Sequence, residues 1–192
     1  LKALSPFLPK TFQYFGIWVL LCFILQGYFA FRLIGLFSNS LAIKCLGSVL
    51  FLFSPPLIFR LSLHESLMGH FIILAALFLN LNQPSPEAQE KTKDKKFIIW
   101  VILLSIATLT HFYLAVMTLV LWLADLCSRV LVSKRCSIQG AVLEILLTMT
   151  AITFVAWQAG YLAIESASGA TRGFGDFRTN ILALFNSRGW SY

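Results

Sequence analysis

Charge is scarce in this sequence, and acid is scarcest. Of 192 residues, eight are Asp or Glu and 15 are Lys or Arg, so 12% are charged. A soluble domain carries about 25%. A chain this short cannot hide 58% hydrophobic residues from water in one core. A soluble globular protein is therefore excluded, and a mean hydropathy of +0.81 belongs to an integral membrane protein. Cysteine is scarce too. The four, Cys22, Cys45, Cys127 and Cys136, show no C-x-x-C spacing, and Cys22 and Cys45 lie within apolar runs. That excludes a disulfide framework and a zinc site. H-E-x-x-H is also missing. In "HESLMGH" (64–70) the histidines are six apart, which spreads them around a helix rather than along one face. The G-F-G at 173–175 has no flanking strand and helix, so it is no dinucleotide fingerprint. No signal peptide is visible at the start. The chain opens on Leu1 and closes on Tyr192 in a polar, glycine-containing stretch, as expected for a piece of something longer.

Long apolar runs are what the sequence does have. A spanning helix needs about 20 apolar residues. Candidate spans cover 12–36, 41–59 (broken by Pro55-Pro56) and 61–81. "NQPSPEAQEKTKDKK" (82–96) is a solvated loop by composition. The next apolar stretch, 97–127, would be about 46 Å long as one helix, against a hydrocarbon core of about 30 Å. Basic clusters flank both of its ends, so it divides into spans at 97–110 and 112–127, turning at "THFY". A last span runs over 139–164, and 165–192 forms an outer loop and interfacial segment. The expected fold is thus an all-α polytopic transmembrane helix bundle of about six spans.

The net charge of +7 would suit nucleic acid, but the positions of the charges matter more, and no nucleic-acid partner is expected. With the loop at 82–96 inside, nine cations fall inside: Arg32, Lys44, Lys91, Lys93, Lys95, Lys96, Arg129, Lys134 and Arg135. Six fall outside: Lys2, Lys10, Arg60, Arg172, Arg178 and Arg188. Cytoplasmic loops favour Lys and Arg, so both chain ends are expected on the extracytoplasmic side.

This topology gathers the histidines, His64, His70 and His111, at one surface. Two backbone donors are lost at Pro55-Pro56, and irregular backbone at membrane depth survives only where protein or water lines it. An outer cavity is expected there, with Arg60 and His64 on one helical face. Glu65 points elsewhere, and His70 lies deeper. Arg172 and Arg178, with Asp176 between them, suit a phosphate-bearing ligand, because guanidinium binds phosphate bidentately. Asp125 and Arg129 are spaced as an i,i+4 pair, and Glu144 is expected as an anchor at the inner interface. Trp100, Trp122, Trp157, Tyr161 and Tyr28 are expected as belt or packing aromatics.

Four stretches, "FQYFGIWVLLCFILQGYFAFRLI", "SPPLIFRLSLHESLMGHFIILAALFL", "THFYLAVMTLVLWLAD" and "GFGDFRTNILALFNSRGWS", resemble a bacterial family of multi-pass membrane proteins. That family is itself similar to the GT-C class of membrane glycosyltransferases. The resemblance implies an inner-membrane enzyme with a GT-C-like module. It takes a sugar from a polyprenyl-phosphate donor at the extracytoplasmic face and passes it to a glycan or lipid acceptor. In that class an acidic residue of the first outer loop acts as base or metal ligand. Here only Lys2 and Lys10 are charged before "FQYF", so either that loop precedes Leu1 or the chemistry lies elsewhere. "HFY" also departs from the His-Pro-Tyr expected at the turn. The class admits a divalent metal, but no residue set here indicates one, and the cofactor is unknown. His64, Glu65 and His111 are the catalytic candidates. Arg60, His70, Arg172, Asp176 and Arg178 are the substrate-binding ones. Two alternatives stand beside it: a proton-coupled transporter or flippase, which a broken span and buried histidines also fit but whose ionisable groups would sit near the midplane, and a non-catalytic assembly subunit, whose spans would need no histidine cluster.

Overall fold

A computed structural model describes residues 14–63, 65–82, 93–134 and 136–161. Among these residues every regular element is helical. In chain order they are α1 (Phe15–Ile34), α2 (Leu41–Leu52), α3 (Pro55–Leu63), a 3-10 turn (Glu65–Met68), α4 (Phe71–Leu81), α5 (Lys93–Thr110), α6 (Phe112–Cys127) with a π turn (Ser128–Val132), and α7 (Ile138–Gln158). Three stretches, Phe15–Ile34, Phe112–Val132 and Ile138–Gln158, are long and apolar enough to cross a membrane. Leu41–Leu52 with Pro55–Leu61 makes a bent fourth. The chain is therefore an all-α protein with membrane-spanning helices.

Local chemistry sets the boundaries. α2 stops at Leu52 because neither Pro55 nor Pro56 can donate a helical hydrogen bond. Proline is well tolerated at the first position of a helix, so α3 starts at Pro55, bent by 42° from α2. The expected span 61–81 is not one helix. It comprises the end of α3, the 3-10 turn and an α4 of 11 residues. The run 97–127 does break at His111. That residue is extended (φ −165°, ψ 140°), and its Nδ1 accepts from the Tyr113 N–H at 3.2 Å as the cap of α6. Ser137 caps α7 in the same way, its Oγ accepting from the Gly140 N–H at 3.0 Å.

Side-chain pairings give the register. Gly27 faces Leu52 and Gly47 faces Ile34, so α1 and α2 are antiparallel. Lys96 reaches Asp125, and these residues lie nearly equidistant from His111, so α5 and α6 form an antiparallel hairpin. Packing neighbours follow the order α2, α1, α4, α6, α5, α7, with α4 also touching α5. One core cluster joins Cys22, Leu57, Met68, Phe71, Ile72, Ala107 and Leu114. A second joins Ala76, Trp100, Leu104, Trp122, Leu126 and Ala141. Other mid-helix apolar residues face outward, among them Leu50 (75% exposed) and Leu146 (60%). Water would oppose such a surface; lipid chains accept it.

Candidate functional site

Antiparallel packing sends the polar residues to two ends of the bundle. The first end holds the Pro55-Pro56 break, the 3-10 turn, the start of α4 and the α5–α6 turn. Here the Trp18 indole donates to the Glu65 carbonyl at 2.8 Å, tying α1 to the 3-10 turn. His70 precedes α4 directly, and Arg60 stands in the last turn of α3. Gly69 brings this segment against the α5–α6 turn. A Cβ at Gly69 would stand 3.0 Å from Leu114 Cδ1 and 3.2 Å from Thr110 Cγ2. Thr110 and Leu114 bracket His111, whose ring stacks on Tyr113 with centroids 5.2 Å apart. On the far side of the turn the Tyr161 hydroxyl donates to the Thr108 carbonyl at 3.1 Å, bringing the end of α7 to the same place.

Arg60, Glu65, His70 and His111 thus share one end. His70 stands at the head of α4 rather than a turn inside a continuous span, because the chain from Glu65 to Gly69 is not α-helical. His64, Arg172, Asp176 and Arg178 lie outside the described residues.

The opposite end is knit together by charge. Asp125, fully buried, accepts from Lys96 Nζ at 2.7 Å, Arg129 Nε at 3.0 Å and Trp100 Nε1 at 3.2 Å. Glu144 takes both terminal nitrogens of Arg129, at 2.6 and 2.9 Å, and the Trp122 indole at 3.2 Å. Two cations and two carboxylates balance, so the cluster is neutral. It joins α5, α6 and α7. The i,i+4 spacing of Asp125 and Arg129 announced one of its bonds. Glu144 is a network partner rather than an interface anchor. Trp100 and Trp122 are packing aromatics of the second core cluster, fully buried, whose indoles also donate to carboxylates; Trp157, 58% exposed, faces outward. The signal for the missed residues was the turn itself. Folding 97–127 about His111 sets position 96 opposite 125.

Among the described residues no three His, Cys, Asp or Glu gather to hold a metal ion, and the four cysteines are free thiols. The polar groups that are buried between the two ends are Gln26, Ser48, Thr108, Thr118 and Thr148, none of which ionises. No curated protein and no solved structure matches the chain. A family profile does match, over residues 1–192, and by it the chain belongs to the family described as a domain of unknown function, DUF6311.

Proposed function

We propose that this chain is the membrane module of a glycosyltransferase that uses a polyprenyl-phosphate-linked sugar. Its bundle of about six spans is of GT-C type and sits in the bacterial inner membrane, with the Arg60–His111 end extracytoplasmic. The observation that carries this reading is the packing of Gly69, next to His70, against the His111 turn, at the end that also holds Arg60 and the break at Pro55-Pro56. Transfer from a lipid phosphate needs positive charge on the departing phosphate and a base for the acceptor hydroxyl. Arg60 supplies the first; the other substrate-binding candidates Arg172, Asp176 and Arg178 lie outside the described residues. Glu65, His64 and His111 are the candidates for the second. The acids at the other end are committed to Lys96 and Arg129 and are not available as bases. A proton-coupled transporter has less support, because among the described residues the buried polar groups between the ends are hydroxyls and one amide.

Losing one charged hydrogen bond to phosphate costs about 1.5–3 kcal/mol, roughly ten- to a hundredfold in rate. Arg60→Ala in the native protein, assayed in membranes supplied with polyprenyl-phosphate-linked sugars, should lose most transfer while its membrane level is unchanged. Transfer at the unsubstituted rate would remove the basis of this reading.

A further inference from the structure

A second site lies at the other end of the bundle, where the α1–α2 turn meets the end of α4. Phe31, Arg32, Gly35, Lys44, Phe78 and Asn82 line an open pocket of about 330 Å³. Arg32 lies over the Phe78 ring, 4.9 Å from its centroid, and donates to the Tyr28 hydroxyl at 3.0 Å. Lys44 lies over the Phe31 ring at 5.1 Å. Neither cation pairs with a carboxylate among the described residues, whereas Lys96 and Arg129 in the neighbouring network both do.

Lys44 sits just past the first turn of α2, and that turn holds no acid to pair with it. Two aromatic-backed cations without a carboxylate partner among the described residues therefore converge on one pocket at the edge of an apolar bundle.

We propose that this pocket binds the phosphate headgroup of an anionic membrane lipid. An anion there supplies Arg32 and Lys44 with the charged partner that no described carboxylate provides. Leu36, an exposed apolar residue (37%) that lines the same pocket, would lie along its acyl chains.

The test is thermal unfolding of the purified full chain in neutral detergent, titrated with phosphatidylglycerol, phosphatidylcholine or inorganic phosphate. Phosphatidylglycerol should raise the midpoint, and the other two should not. An interfacial cation contributes about 1 kcal/mol to binding an anionic lipid, a factor of about five. Lys44→Gln should therefore weaken the phosphatidylglycerol response about fivefold, and Arg32→Gln/Lys44→Gln should abolish it. Lys134→Gln, away from the pocket, should leave it intact. Arg32→Lys/Lys44→Arg, which keeps both charges and guards against a folding defect, should retain it. An equal response to inorganic phosphate would overturn the lipid assignment. An unaltered response in Lys44→Gln and in the double Gln variant would overturn the site. Neither result bears on transfer at the Arg60 end.

Discussion

Asp125 is the residue on which most interactions converge. It is fully buried, and three donors from two helices meet it. In lipid the hydrophobic effect does not drive helices together, and association rests on packing and on interhelical hydrogen bonds. The Lys96–Asp125–Arg129–Glu144 network is therefore what holds α5, α6 and α7 in register. Removing one partner of a buried ion pair costs about 3–5 kcal/mol, because the other charge is left uncompensated. Asp125→Ala should lose that much stability in reversible unfolding from mixed micelles. Asp125→Asn keeps one acceptor oxygen, for Lys96 or for Trp100 and Arg129, and should lose less. An Asp125→Ala protein that unfolds at the unsubstituted midpoint would show the network to be dispensable. Only the Asp125–Arg129 bond was legible locally, since i,i+4 residues share a helix face. Lys96, Trp100, Trp122 and Glu144 come from elsewhere in the chain, and their meeting depends on helix register, which no local spacing encodes. The candidate site was legible to a similar degree. That Arg60, Glu65, His70 and His111 lie at one end followed from counting spans, whereas the contact of Gly69 with Thr110 and Leu114 is a packing fact with no sequence signature.

Helix boundaries were the most legible elements, because they follow from short-range chemistry. Two adjacent prolines end α2, and basic clusters on both sides of 97–127 required a turn that His111 supplies. The 3-10 turn Glu65–Met68 was not legible. Neither proline nor glycine falls within it, and tertiary contacts, including the Trp18 bond to the Glu65 carbonyl, set the backbone there. Caps make a direct test at this scale. Ser137 accepts from the Gly140 N–H at 3.0 Å, and α7 has no acidic residue in its first turn to help it. Ser137→Ala should cost about 1 kcal/mol, and Ser137→Gly only a few tenths. Hydrogen exchange provides the local readout. The Gly140 amide should exchange faster in Ser137→Ala while amides in the middle of α7 keep their protection. If Gly140 exchange is unchanged, the serine does not cap the helix.

At the scale of the whole molecule the described cations are unevenly shared between the two ends. Of the seven Lys and Arg whose side chains are described, six (Arg32, Lys44, Lys95, Lys96, Arg129 and Lys134) lie at the end that holds the ion network. Arg60 alone lies at the other. Four of the six have visible local partners, since Lys96 and Arg129 meet carboxylates, Arg32 meets Tyr28 and Phe78 and Lys44 meets Phe31. Pairing does not account for the asymmetry, because helix pairing would work equally well with the cations at either end. Retention of Lys and Arg on the cytoplasmic side does account for it. The ion-network end should therefore face the cytoplasm. Cys136 lies at that end, between the π turn and α7. In a protein with Cys22, Cys45 and Cys127 changed to Ala, Cys136 is the single thiol. A membrane-impermeant maleimide should leave it unmodified in intact cells and label it once the membrane is opened. With Cys136→Ala added, Tyr14→Cys at the opposite end, where Tyr14 is 42% exposed, should label in intact cells. Labelling of Cys136 from outside would invert the orientation, put Arg60 and His111 in the cytoplasm, and remove the extracytoplasmic sugar donor from consideration, while leaving the helix packing as described.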